Sequence, residues 1–250
     1  MTLFDIFRKQ ILSPTGVVEK AINLKIKHPN DTPEYIKNNF SHLIEQLQSD
    51  AYEIYLEEEK RIGEGSIEVY IKNKLPKDAT AEDTIQCVKL MFTELDRFFL
   101  SLTQSRRPRA GSAFEVILKT LFKKLQYPFD EQQIINGKPD FLMPGRAHFD
   151  NNPMDSIIFT AKRSLRERWR QIVTEGTRGL GFYLATIDES ISENQLTEMM
   201  RNRIYLVMPE RIKNENKLYN KTGNIISFED FFTHHLDPAM KRWRANKIIP

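Results

Sequence analysis

Pro139-Asp140 stands just ahead of one short apolar run, and Thr160-Ala161-Lys162 closes the next. Arg166-Glu167-Arg168 comes immediately after. An aspartate and a lysine on two neighbouring strands can share one metal-bound phosphate. Phosphodiester hydrolysis needs that arrangement, because it requires an activated water, in-line geometry and positive charge beside the pentacoordinate phosphorus. Asp140 is the candidate first metal ligand. Lys162 can orient or deprotonate the water and stabilise developing charge. Mg²⁺ suits such a site, since it binds through one or two carboxylates plus phosphate oxygens and keeps several waters. The usual place of a second carboxylate, two residues before the lysine, holds Thr160. Glu175, on the helix-like stretch after Lys162, can fold back to replace it. Glu115, on the preceding helix, can support the site from the other side.

The Arg-Glu-Arg cluster has the groups needed to read G·C pairs. Arginine donates two hydrogen bonds to O6 and N7 of guanine, and glutamate accepts from the N4 amino group of cytosine. Arg106, Arg107 and Arg109, beside Gly111, have the character of phosphate contacts, which position without specifying. Each feature also has an ordinary structural explanation. Pro-Asp is common where a turn meets a strand, a lysine at a strand end is usually solvated, and Glu175 can be a surface carboxylate. Ser164 followed by Glu167 fits a capping box, so both arginines beside Glu167 can be a solvated face. Trp169 reads as core. The adjacent His234-His235 lacks a matching set of ligands for a zinc site, and no P-loop, dinucleotide fingerprint or Ser-His-Asp order is present.

The elements that must position these residues follow from the apolar pattern. Residues 1–100 read mostly as helix, with Leu43, Ile44, Leu47, Ala51, Ile54 and Tyr55 at helical spacing and a second such run from Thr84 to Leu100. Gly63-Glu64-Gly65 and Leu75-Pro76 interrupt that pattern, and Ser66–Lys72 alternates as a short strand would. The character changes after Ser105–Gly111. A helical stripe of Phe114, Ile117, Leu118, Leu121, Phe122 and Leu125 leads into short β-rich runs at 133–135, 141–143, 156–161, 181–186 and 204–208. Helix-like segments at 164–178 and 189–202 separate several of these runs. That alternation predicts an α/β core with a mixed sheet. Runs 141–143 and 156–161, joined by a loop with Pro144, Gly145 and Pro153, should pair antiparallel and bring Asp140 and Lys162 to one end.

Composition sets wider bounds. The 250 residues, 40% of them hydrophobic, can bury a real core. A net charge of +3 is no basic coat, so a nucleic-acid partner would be met through local clusters. One cysteine, Cys87, excludes an internal disulfide framework and fits a reducing cytosol. No apolar run reaches the roughly 18 residues of a membrane span, and the N-terminus lacks a signal peptide's basic and apolar regions.

In order and spacing, Pro139-Asp140, Thr160-Ala161-Lys162, Arg166-Glu167-Arg168 and Glu175 resemble the type II restriction endonucleases of the SsoII, PspGI and EcoRII group, within the PD-(D/E)xK nuclease superfamily. That group replaces the acid before the lysine with Ser or Thr and takes its carboxylate from a later helix, which matches Thr160 and Glu175. The resemblance spans Arg106 to Arg178. It implies a restriction-endonuclease-like α/β fold, a mixed β-sheet flanked by helices, with a helical N-terminal part. Residues 1–104 would serve dimerisation and a central-base pocket, and residues 105–250 would form the nuclease core. The implied enzyme hydrolyses double-stranded DNA at a CC-(N or W)-GG-like site, with Mg²⁺ on Asp140 and Glu175, Lys162 assisting the water and Glu115 as a supporting carboxylate.

Arg166 and Glu167 would then read the inner G·C pair and Arg168 the outer guanine. The contiguous triplet resembles that of enzymes for interrupted sites. Enzymes for uninterrupted CCGG, such as NgoMIV, carry an extra residue between the first arginine and the acid. Interrupted-site enzymes flip central bases out of the stack, and Tyr55, Tyr70 or Phe98 beside Arg97 are the candidates to hold one. A near-palindromic site implies a homodimer. Cleavage before the first cytosine, 5′ overhangs, a companion cytosine methyltransferase and a cytoplasmic prokaryotic setting complete what the resemblance implies. Two other classes stay open on the residues alone: a structure-selective PD-(D/E)xK repair nuclease, and a non-catalytic sequence-specific DNA-binding or regulatory protein.

Overall fold

The computed structural model of the chain describes residues 2–135, 137–165 and 181–250. These group into two compact units, one of Met1–Lys25 with Gln48–Ala113 and one of Ile26–Leu47 with Phe114–Pro250. Six helices precede the first strand: α1 (Leu3–Arg8), α2 (Pro14–Lys25), α3 (Pro33–Asn38), α4 (Phe40–Lys72), α5 (Ala81–Leu90) and α6 (Phe92–Lys124). Both α4 and α6 contribute residues to both units.

The first unit is helical. Capping boxes start α1 at Thr2 and α5 at Thr80, each with an aspartate three residues on that returns the hydrogen bond. Its core gathers Leu3, Ile6, Phe7, Ile62, Tyr70, Cys87, Met91, Phe98 and Leu102. Two local expectations are overturned here. Ser66–Lys72 is the end of α4, not a strand. Ile62, Ser66 and Tyr70 are buried at four-residue spacing along one helix face, and that packing overrides a short stretch of apparent alternation. Gly63 and Gly65 do not break α4 either, although each weakens a helix by up to about 1 kcal/mol relative to alanine. Helix α6 likewise runs through 105–111 with Pro108 inside it.

The second unit holds a six-stranded mixed sheet in the order β1 (Asp130–Glu131), β2 (Phe141–Met143), β3 (Ile157–Ala161), β4 (Gly181–Ala185), β5 (Ile204–Met208), β6 (Ile225–Ser227). The first three strands pair antiparallel, and β3 to β6 run parallel. Run 133–135 is not a strand. The β1–β2 ladder ends with one last bond from Gln132 N–H to Asp140 O at 3.2 Å, and Gln132 takes the left-handed conformation at φ 49°, which turns the chain away from the sheet.

Side-chain alternation divides the core. Phe159 and Tyr183 stand in register on one face and meet Phe122 of α6 and Phe231. Leu142, Ile158, Phe182, Leu184 and Leu206 line the other with Leu196, Met199 and Tyr219. The fold is the helix-flanked mixed α/β sheet expected. Among the described residues no helix is long and apolar enough to cross a membrane.

Candidate active site

Strand register places the chemistry. Phe141 pairs with Phe159 in the antiparallel β2–β3 ladder, so one step further Asp140 stands opposite Thr160. Lys162 lies two residues beyond Thr160 and therefore on the same side of β3. Its backbone N–H donates to Ala185 O at 2.9 Å, which extends the β3–β4 pairing to the lysine itself. The expected end of the antiparallel pair thus does bring Asp140 and Lys162 together.

Three donors converge on one oxygen of Asp140. The Thr160 hydroxyl donates to Oδ2 at 2.8 Å, the Ala161 N–H at 2.7 Å and Lys162 Nζ at 3.3 Å. Thr160 is therefore more than a missing acid, because its buried hydroxyl helps to fix the aspartate. Lys162 Nζ also stands 3.6 Å from Glu115 Oε1 on α6, so the ammonium lies between two carboxylates. Burial pushes the Glu115 carboxyl above its ordinary pKa, and the negative charge of Asp140 pushes it further, while Lys162 pulls it back.

The donor set fits a hard cation. All hydrogen bonds from described residues to the Asp140 carboxylate fall on Oδ2, which leaves Oδ1 as the oxygen open to a cation among those residues. Among the described residues no group of three His, Cys, Asp or Glu side chains could hold a metal. A complete carboxylate set therefore needs a further contributor. Glu175 and the Arg166-Glu167-Arg168 triplet, with Trp169, lie outside the described residues.

The other candidates sit in the helical unit. Arg106 is paired with the nearly buried Glu59, through Nη2 at 2.5 Å and Nε at 3.1 Å to Oε1. Arg109 donates to Leu12 O at 2.8 Å and stacks 4.9 Å from the Tyr55 ring centre, and Arg107 is exposed. Tyr55 donates to Glu59 Oε2 at 2.6 Å. Tyr70 is hydrogen-bonded to Glu94, and Phe98 packs edge-on against Phe7 in the core, while Arg97 is exposed. Sequence reasoning passed over Asp188, just past β4, whose carboxylate holds the backbone N–H of Leu165 at 2.8 Å. Its only signal was an aspartate at the carboxyl end of an apolar run.

The family model for the EcoRII C-terminal domain matches residues 77–232, more than half of the chain, and spans Glu115, Asp140, Thr160 and Lys162. The chain belongs to this family. Among curated relatives of this EcoRII C-terminal family member, type II restriction enzyme SsoII of Shigella sonnei is 28% identical over 247 residues, 94% of this chain and 80% of that one. Type II restriction enzyme EcoRII of Escherichia coli is 29% identical over 169 residues, 57% of this chain and 42% of that enzyme. Metal-depleted Ecl18kI in complex with uncleaved, modified DNA superposes with a TM-score of 0.77 at 27% identity, covering 99% of this chain and 84% of that one. The complex of restriction endonuclease PspGI with its substrate DNA shares the fold, with a TM-score of 0.65 at 23% identity and 96% of each chain covered. The family member described here is a type II site-specific deoxyribonuclease.

Proposed function

We propose that this enzyme is Mg²⁺-dependent and hydrolyses double-stranded DNA at a CC-(N or W)-GG-like site, leaving 5′ overhangs. The observation that carries the reading is the convergence of Thr160, Ala161 and Lys162 on Asp140 beside Glu115, in a chain where Arg166-Glu167-Arg168 follows directly. Asp140, with Glu175, would hold the metal, which when bound supplies an acidified water and offsets charge on the phosphate. Lys162 directs its ammonium at the other oxygen of Asp140, Oδ2, and so presents positive charge beside the metal, where the attacked phosphate would lie. Glu115 holds that ammonium from the other side, and its raised pKa lets it keep a proton at a higher pH than an ordinary carboxyl. Arg166 and Glu167 would read the inner G·C pair and Arg168 the outer guanine.

The helical unit offers support for the remaining roles. Tyr55, with Tyr52, Gln48, Arg106 and Arg109, lines a small cleft, and the Arg109 guanidinium lies over its ring; that pairing of an aromatic ring with an arginine favours Tyr55 over Tyr70 and Phe98 for holding a flipped base. Arg107, the exposed arginine of the three, is the better placed for a phosphate. Ile85, Val88, Phe92 and Phe99 are exposed apolar side chains on α5 and α6, and they support the pairing of two copies that a near-palindromic site requires. A cytosine methyltransferase would protect the host's own sites.

The test is digestion of a fully sequenced, unmethylated DNA with Mg²⁺, followed by sequencing of the fragment ends. Discrete staggered ends at CCNGG or CCWGG are expected. Ends at CCGG would remove the base-flipping element, and ends without a common sequence would overturn the recognition reading.

A further inference from the structure

The segment leaving β3 is tied by its backbone to the turn that follows β4. Asp188 lies three residues beyond the end of β4. Its Oδ1 accepts the N–H of Ser190 at 2.9 Å, a local turn of the kind loop aspartates commonly make. Its Oδ2 does something a local turn does not require: it accepts the backbone N–H of Leu165 at 2.8 Å, 23 residues away in the chain. Nearby, Thr186 takes the N–H of Asp188 on its hydroxyl oxygen at 3.1 Å and turns that hydroxyl toward Arg163 O at 3.4 Å.

The anchor is itself held. The N–H of Ile191 donates to the Tyr219 hydroxyl at 2.8 Å, and Tyr219 is fully buried in the core of the sheet. Leu165 and Ile191 belong to the same core. A line of bonds therefore runs from Tyr219 through the 188–191 turn to the backbone of Leu165. Arg166 is the next residue in the chain, so Leu165 is the last described residue before the Arg166-Glu167-Arg168 triplet.

We propose that Asp188 is a positioning residue for base recognition: it sets the start of the triplet relative to the catalytic strand through its bond to Leu165. The proposal rests on the reading of Arg166–Arg168 as the base readers. Lys162 is bound to Ala185 at the end of β4 and Leu165 to Asp188 three residues further on, so cutting and reading would share one support. A misplaced triplet loses discrimination between sites before it loses chemistry, because bidentate contacts to base edges demand closer geometry than a phosphate contact.

The experiment compares kcat/KM for the preferred duplex with that for duplexes altered at a single C·G pair, in Asp188→Ala, Asp188→Asn and Arg168→Ala enzymes whose folding is checked by thermal melting. Asp188→Ala should lower the ratio about tenfold, the scale of a lost charge-assisted bond, with the change mainly in KM. Asp188→Asn keeps a single acceptor for two N–H donors and should fall between it and wild type; if the alanine variant does not fold, the asparagine variant decides. Folded variants with an unchanged ratio, or with equal losses on all duplexes, would overturn the role of Asp188. If Arg168→Ala also keeps the ratio, the base-reading assignment itself falls and takes this proposal with it.

Discussion

Replacing Thr160 by valine isolates one of the three bonds that fix Asp140. The hydroxyl is almost completely buried and donates to Asp140 Oδ2 at 2.8 Å, and valine has nearly the same shape, so little else changes. A hydrogen bond to a charged group contributes about 1.5–3 kcal/mol. Because the Ala161 N–H at 2.7 Å and Lys162 Nζ at 3.3 Å remain, the lower end is the appropriate figure. About 1.5 kcal/mol corresponds to a Tm lower by about 3–6 °C in a chain of this size. If the same energy is lost from the orientation of Asp140 in the transition state, cleavage slows about tenfold. The assay is single-turnover cleavage of a preferred duplex under saturating Mg²⁺, beside thermal melting. Thr160→Ser restores the donor and should recover most of the rate. Wild-type rate and Tm in Thr160→Val would refute the assignment. A serine variant as slow as valine would place the effect in the lost methyl group and its packing.

Asp140→Ala and Lys162→Ala should each reduce cleavage by about a hundredfold or more while gel-shift binding of the specific duplex stays largely intact; loss of both together would point to a folding defect. The Glu115 carboxyl, followed by ¹³C NMR titration, should move down in Asp140→Asn and up in Lys162→Met, since the first removes a repelling charge and the second an attracting one; movement in the opposite directions would refute that account. Because its folded pKa is raised, Glu115 contributes stability that is full below its unfolded pKa and is lost as pH rises through the folded one. Glu115→Gln should flatten that decline in urea unfolding. Asp155 accepts from Arg242 Nε at 2.6 Å and from the indole of the buried Trp243 at 3.1 Å, with His148 Nε2 at 3.0 Å. Asp155→Ala should therefore destabilise by about 2 kcal/mol and lower Tm by about 4–8 °C, and an unchanged melting curve would show those contacts to be worth little.

The meeting of Asp140 and Lys162 was legible in the sequence because two short apolar runs joined by a Pro- and Gly-containing loop form an antiparallel ladder. Its period of two places Asp140, Thr160 and Lys162 on one side wherever Phe141 meets Phe159. The mixed sheet was legible for a related reason: alternation of strand-like and helix-like runs is a local property that needs no knowledge of partners. Ser66–Lys72 was misread because seven residues are too few to separate a period of two from one of 3.6. What decides them is Tyr70 packing with Ile62 and Phe98 in the core. The same holds for 105–111, where α6 continues through Pro108, and for 133–135, where the left-handed Gln132 turns the chain away from the sheet. Residue types and spacing determined the chemistry available to this protein. Only the tertiary structure decided that the Thr160 hydroxyl serves Asp140, that Glu115 meets Lys162, and that Asp188 holds Leu165, because spacing can put residues on one side of a strand but does not fix which polar atoms come within hydrogen-bond distance across strands, helix and loop.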